Sequence, residues 1–347
     1  MEFPQVLILE DDDEKEAAGQ LARHITAWGF EAPFVVASQH GIRLAADLSG
    51  PEPIQSPAAG ADQEWAIQLG SRVRRAGADV VVAVGGGRCL DVAKLAAARA
   101  GLASIAVPTQ LSHDGICSPV AVVPDESGKP ESVGAIAPRG VFISMSTLLD
   151  APVASVRAGI GDLLANPLAL RDWALAAQHG LEEIDQRAWD LSVESFQTIE
   201  RDLDSEPDQL GKDPDFLRRL ANALVLSGLA MIWSGTSRPA SGGEHEISHA
   251  IDELHGGRAL HGEQVAFGSI LSVALYGEDT DAFRVRLRTL GLPEHPRDLA
   301  LSEDDMVRLL LHAPETRPGR FTILEDANLD ESGARKLVVR VWGSEID

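Results

Sequence analysis

Apolar and polar positions alternate along the first half of the chain in two distinct periods. Val6-Leu-Ile-Leu9 is a short apolar run that predicts a strand, and a 3.6-residue periodicity from Glu14 to Trp28 predicts a helix. Ala32–Ala37 reads as a second strand, Ser49–Ala61 as a Pro/Gly/Ala-rich loop, and Asp62–Ala76 as a second helix. Ala78–Val84 is apolar and β-branched without alternation, the signature of a strand buried on both faces. Further strands are expected at Ser104–Pro108 and Gly140–Ser146. Strands separated by helices imply an α/β fold with a doubly wound parallel sheet.

From about residue 151 the pattern changes. Ala, Leu, Arg and Glu dominate, and long helical periods run over Leu163–Gly180, Ala188–Leu203 and Phe216–Trp233, with a polar loop at Asp204–Asp215. The expected organisation is an α/β dinucleotide-binding domain over residues 1–150 and an all-helical metal- and substrate-binding domain over 151–347, meeting near Asp150-Ala-Pro152. A length of 347 residues suits two domains.

Composition narrows the partners. A formal net charge of −23 disfavours nucleic acid and anionic membrane surfaces. No apolar run approaches the length of a membrane span, and Met1-Glu-Phe-Pro lacks the features of a signal peptide. Cys89 and Cys117 are too few for a disulfide framework or a thiolate metal site. A cytoplasmic, homo-oligomeric enzyme acting on a small molecule is expected.

Four of the ten histidines fall within residues 245–261. His245 and His249 share one face of a helix, and His261 follows His245 by sixteen residues, enough for that helix to end and the chain to return. Two imidazoles and a distant carboxylate would make a three-ligand catalytic metal site with an open position. Asp162, after Gly159-Ile-Gly, is either that carboxylate or a helix cap. Gly85-Gly86-Gly87 lies where a buried strand turns into a helix, a place suited to a phosphate. A second loop at the same sheet edge, Thr109-Gln-Leu-Ser112-His-Asp114-Gly-Ile-Cys-Ser118, is dense in hydroxyls. Asp114 there could accept a hydrogen bond from a substrate hydroxyl or simply form an Asp-Gly turn.

In order, Gly85-Gly-Gly-Arg-Cys-Leu-Asp-Val-Ala-Lys94, Pro108–Pro119, Ala158-Gly-Ile-Gly-Asp162, Asp172-Trp173, Ser237-Arg-Pro-Ala-Ser-Gly-Gly-Glu-His245, His249, His261-Gly-Glu-Gln-Val265 and Thr316-Arg-Pro-Gly-Arg-Phe-Thr-Ile-Leu324 resemble the sn-glycerol-1-phosphate dehydrogenases. These sit within the iron-type alcohol dehydrogenases, glycerol dehydrogenases and 3-dehydroquinate synthases. The resemblance implies metal ligands Asp162, His245 and His261, and substrate contacts from Asp114 and His249, with Asp162 also at the substrate. It implies cofactor contacts from Gly85, Gly86, Gly87, Asp91, Thr109, Ser112 and Ser118. It further implies NAD or NADP, one divalent metal (zinc first, iron or nickel as alternatives), and hydride transfer with dihydroxyacetone phosphate and sn-glycerol 1-phosphate. A neutral polyol dehydrogenase or a sugar-phosphate cyclase is the alternative. Because the net charge is so negative, a phosphorylated substrate needs a local arginine, and Arg238 or Arg320 is expected to reach the metal cleft.

Overall fold

The structure, a computed structural model, describes all residues except 1–2, 12, 47, 49–51, 58–60, 126–127, 129, 206 and 344–347. Among the described residues, six strands form one parallel sheet: β1 (Gln5–Leu9), β2 (Pro33–Ala37), β3 (Ile54–Gln55), β4 (Val80–Gly85), β5 (Ala103–Pro108) and β8 (Gly140–Ser144), in the order β1-β8-β5-β4-β2-β3. The intervening strands β6 (Val120–Pro124) and β7 (Pro130–Gly134) pair antiparallel as a separate hairpin, which the hydrophobic pattern did not predict.

The unbroken apolar run of β4 is explained by its two faces. Val80, Val82 and Val84 pack in one cluster with Leu21 and Leu44 of helices α1 (Glu14–Ala27) and α2 (Ile42–Ala46). Val81 and Ala83 pack on the other side with Leu69 and Leu90 of α3 (Gln63–Arg75) and α4 (Gly87–Ala100). Helices on both sides make the sheet doubly wound, as expected. Carboxylate caps begin the outer helices: Asp13 Oδ1 accepts from Glu16 N–H at 2.8 Å, and Asp62 Oδ1 from Trp65 N–H at 2.8 Å.

Every described element after β8 is helical: α5 (Met145–Leu149), α6 (Val153–Leu163), α7 (Asn166–Gln178), α8 (Gln186–Glu200), α9 (Pro207–Leu210), α10 (Pro214–Ser234), α11 (Gly243–His255), α12 (His261–Leu275), α13 (Thr280–Thr289), α14 (Glu303–His312), α15 (Ile323–Ala327) and α16 (Glu331–Trp342). The expected loops each hold a short element, β3 within 49–61 and α9 within 204–215, and further expectations need correction. Leu163–Gly180 is not one helix, because α6 ends at Leu163 and α7 restarts with Pro167 in its first turn, where a missing N–H costs nothing. The strand expected to Ser146 stops at Ser144, whose side chain caps α5. Helix α10 does have the length and apolarity of a membrane span, contrary to the sequence reading. However, 67% of its most apolar window is buried, and its Ser227 takes part in a buried hydrogen-bond network, as befits a core helix.

Three helices approach one another unusually closely. A Cβ on Gly262 of α12 would lie 1.9 Å from the Ala158 carbonyl oxygen of α6, and one on Gly161 would lie 2.3 Å from the Gly262 carbonyl oxygen. A Cβ on Gly268 would lie 2.5 Å from the Glu244 carbonyl oxygen of α11. Backbone meets backbone at these points, so no side chain can be added without separating the helices. Gly262→Ala is expected to destabilise the protein by roughly 2 kcal/mol or more through overpacking and to lower bound metal. Gly134→Ala, with open space around its Cβ, should do neither. Thermal melts with metal analysis check both.

Candidate metal centre and cofactor cleft

The close contact of α6, α11 and α12 has a chemical result. Asp162 is the penultimate residue of α6, His245 lies in the first turn of α11, and His261 opens α12. Their potential ligand atoms all lie within 4.8 Å of one another. Asp162 Oδ1 is 3.8 Å from His245 Nε2 and 3.7 Å from His261 Nε2. Ligand atoms placed about 2.1 Å from a common ion in a tetrahedral site are roughly 3.4 Å apart. A small contraction would therefore convert this cluster into a coordination site.

The electrostatics favour a cation there. Asp162 is only 4% exposed, and burial, followed by the nearby Asp114 and Glu244 charges, pushes its carboxyl well above the ordinary range. Burial, followed by the Arg317 and Arg320 charges, holds His245 well below the ordinary histidine value. His261 is lowered by burial and by the neighbouring His245 and His113. Neutral imidazoles facing a carboxylate oxygen are the protonation states a divalent ion requires of its ligands. The surrounding contacts orient these donors. Asp162 Oδ2 accepts the Asp114 N–H at 2.9 Å, leaving Oδ1 toward the histidines. His245 Nδ1 lies 3.0 Å from Glu244 Oε1, so its Nε2 is the lone-pair nitrogen turned inward, the usual pairing behind a metal-binding imidazole.

Glu244 belongs to a buried acidic group. Its Oε1 also accepts the Gly242 N–H, while Oε2 is buried without a partner. Asp172 is fully buried and accepts from Gly243 N–H at 2.7 Å, Ile323 N–H at 2.9 Å and the Tyr276 hydroxyl. The first two bonds tie the start of α11 and the start of α15 to α7. Despite these donors, burial and the adjacent Glu244 push Asp172 up to about 7.

The cluster opens into a cleft reached by Asp91, Asp114, Ser118, His249, Asp252 and Arg317. His249 sits one turn beyond His245 on α11 and is held well below the ordinary histidine value by burial, then by Arg317. Asp114 lines the cleft, but its Oδ2 already accepts from the Ser227 hydroxyl at 2.8 Å. Asp91 serves as an anchor as well as lining the cleft. It pairs with the buried Lys94 ammonium at 3.3 Å and accepts Val122 N–H at 3.2 Å, while Lys94 donates to the Gly115 and Val120 carbonyls, each at 2.8 Å. This clamp fixes the hydroxyl-bearing loop and the β6–β7 hairpin over α4.

Gly85, Gly86 and Gly87 form the turn from β4 into α4, but they do not line the cleft; nor do Thr109 and Ser112 of the adjoining loop. Added Cβ atoms would meet Cys89 Cβ at 2.7 Å on Gly85, Gln110 Nε2 at 2.7 Å on Gly86 and His113 Nε2 at 2.1 Å on Gly87, so packing demands glycine at Gly85, whereas the Gln110 and His113 side-chain ends can shift at the other two. Arg238 does not reach the cleft. It is buried, with its guanidinium held by the Glu182 carboxylate and the Phe321 carbonyl. Arg320 is likewise engaged, by the Ser241 carbonyl and the Ser237 hydroxyl at 2.9 Å. Two other arginines line the cleft, Arg88 at the start of α4 and Arg317, three residues before Arg320 in the same Thr-Arg-Pro-Gly-Arg segment. The signal for Arg317 is the motif itself, whose two arginines residue type alone does not distinguish.

Residues 36–152 match the iron-containing alcohol dehydrogenase family. The glycerol-1-phosphate dehydrogenase [NAD(P)+] of Hyperthermus butylicus is 38% identical over 284 residues, covering 82% of this chain and 80% of that protein. The chain belongs to the glycerol-1-phosphate dehydrogenase family. That of Methanospirillum hungatei is 39% identical over 266 residues, 76% of this chain and 72% of the relative. Among solved structures, a probable glycerol dehydrogenase from Sinorhizobium meliloti superposes with a TM-score of 0.80 at 21% identity, over 97% of this chain and 96% of that one. The fold is thus the one shared by glycerol and iron-type alcohol dehydrogenases. Family membership makes this chain an NAD(P)-dependent, metal-using oxidoreductase.

Two outcomes follow from the geometry. Asp162→Asn, His245→Ala and His261→Ala should each lose most bound divalent metal, whereas His249→Ala should retain it, as measured by elemental analysis of the purified proteins. The second concerns Asp172. Its folded value of about 7 lies above that of an aspartate in an unfolded chain, so between about pH 4 and 7 the folded protein holds a proton the unfolded chain has released. Stability should therefore fall as pH rises across that window and level off above it. Thermal melts of metal-free protein should show this fall, and Asp172→Asn should flatten it.

Proposed function

We propose that this enzyme interconverts dihydroxyacetone phosphate and sn-glycerol 1-phosphate with NAD(P)H, using a zinc ion held by Asp162, His245 and His261. The observation that carries the reading is the convergence of one buried carboxylate and two neutral imidazoles on a single point of the cleft, in a chain of this family. One carboxylate and two imidazoles form a donor set well suited to zinc. When bound, such an ion supplies Lewis acidity to the substrate's oxygen, and the nicotinamide supplies or accepts the hydride.

The remaining roles belong to the chain. Asp162 and the two histidines are fixed by α6, α11 and α12, so the donors need little reorganisation. Asp114, steadied by Ser227, presents a carboxylate to a substrate hydroxyl while its own N–H steadies Asp162. His249 is placed to move the proton. In oxidation the alcohol loses a hydride from carbon to the cofactor and a proton from oxygen to this imidazole, and in reduction both return. The residue 1–150 portion is read as the cofactor domain and the 151–347 portion as the metal and substrate domain, with the cofactor's phosphates near the start of α4. At the end of β2, beside β4, stand Ser38, Gln39 and His40. This stretch contains no carboxylate to bind a ribose diol or repel a 2′-phosphate, which supports use of both NAD and NADP.

Absorbance at 340 nm with zinc-, iron- or nickel-loaded protein tests the proposal. Dihydroxyacetone phosphate should be reduced with a kcat/KM roughly a hundredfold or more above that of dihydroxyacetone, the scale of one well-placed charged contact. Comparable use of both ketones would assign the enzyme to neutral polyols instead. His249→Ala should lower kcat by about 10²- to 10⁴-fold with metal content intact.

A further inference from the structure

Arg317 differs from its two neighbouring arginines in what it leaves unused. Arg238 is committed to Glu182 and Phe321, and Arg320 to Ser241 and Ser237. The guanidinium of Arg317 reaches only two hydroxyls through Nη1, Ser241 Oγ at 2.6 Å and Ser237 Oγ at 3.4 Å. No described carboxylate forms an ion pair with it. Its Nε and Nη2 donors have no described partner, although the residue is half-buried and lines the cleft. Ser237 and Ser241 line the same cleft. A desolvated guanidinium is costly without an anion, and a fork of free N–H groups matches a phosphate in geometry and charge.

We infer that Arg317, with the hydroxyls of Ser237 and Ser241, forms the pocket for the substrate's phosphate monoester and is the residue that makes the enzyme selective for the phosphorylated ketone. Its position fits that task. Arg317, Ser237 and Ser241 line one cleft with His245, His249 and His261, so the guanidinium shares the space beside the proposed metal site. The rest of the cleft argues the same way. Asp91, Asp114 and Asp252 line it together with Arg88, in a protein of net charge −23, so a dianion needs a local, directional cation beside the metal site to enter. Ser241 is then a positioning residue, because its short contact holds one arm of the fork while Nε and Nη2 meet the phosphate oxygens.

The inference rests on the proposed substrate class, and the experiment separates the two. In metal-loaded Arg317→Ala, KM for dihydroxyacetone phosphate should rise at least tenfold, with KM and kcat for dihydroxyacetone little changed. Competitive inhibition by inorganic phosphate against the ketone should disappear, and the NAD(P)H Kd from fluorescence quenching should stay within about twofold. Arg317→Lys should lie between, since a lysine keeps the charge but loses the fork. Ser241→Ala should raise the same KM by a smaller factor. If Arg317→Ala proves poorly folded by thermal melt or metal content, the Lys and Ser241 variants decide. An equal KM rise for both ketones, or a rise in the NAD(P)H Kd with phosphate selectivity retained, would overturn the assignment, the second outcome giving the arginine to a cofactor phosphate. An intact enzyme that does not prefer the phosphorylated ketone would remove the substrate reading itself, whereas retained preference in Arg317→Ala and Arg317→Lys would remove only the role of this residue.

Discussion

The site depends on the backbone contact among α6, α11 and α12. Side chains on different helices normally meet across interaxial distances of 8–10 Å. Here Gly161 and Gly262 touch each other's helix backbone, and Gly268 touches the carbonyl of Glu244. Helices this close can present short side chains, an aspartate and two histidines, to one point. The glycines carry no chemistry themselves, yet the three proposed ligands converge only because they lack a Cβ.

A second constraint is electrostatic. Asp162, Asp114, Glu244 and Asp172 are carboxyls in an interior that disfavours their charged forms, and each raises at least one neighbour's affinity for protons or has its own raised. Such a group is poor material for stability alone, since burying like charges is unfavourable without compensation. It becomes intelligible when a divalent cation supplies positive charge on one side and Arg317 and Arg320 on the other. Pre-placed donors of this kind hold binding sites rigid at some expense to the protein's own stability.

Much of the architecture was legible in the chain, for physical reasons that also explain the misses. Strands buried on both faces, such as β4, and amphipathic outer helices, such as α3, write their burial directly into residue order. The His245/His249 pair was legible because helical geometry fixes which residues share a face, and His261 because sixteen residues let that helix end and the chain return. Local pattern alone left Asp162 open, since a carboxylate after Gly-Ile-Gly serves equally as a cap; the family resemblance singled it out, and the contact between α6 and α12 brings it to the histidines. The β6–β7 hairpin escaped because its pairing is short and β7, Pro-Glu-Ser-Val-Gly, carries little apolar pattern, and its attachment relies on Lys94, a residue whose burial no local pattern reveals. Arg238 and Arg317 are chemically the same, and which of them faces a cleft is decided by Glu182, 56 residues away from Arg238.

The sheet's strand order also governs how the molecule can form and come apart. β1, the first strand, lies at the sheet edge and pairs only with β8, so Gln5 meets Gly140 and Leu9 meets Ser144. Closing that pair encloses nearly the whole α/β half in one long chain loop, a contact of high sequence separation whose entropy must be overcome before it is rewarded. The same end of the chain is tied to the helical half: Asp11 accepts the Met145 N–H at 2.9 Å beyond β8, and Phe3 stacks on Trp233 of α10 with ring centroids 5.1 Å apart. Residues 3–11 thus act as a clasp. Until it closes, β8 lacks its outer neighbour, and a growing chain cannot complete this sheet before about residue 144 has been synthesised.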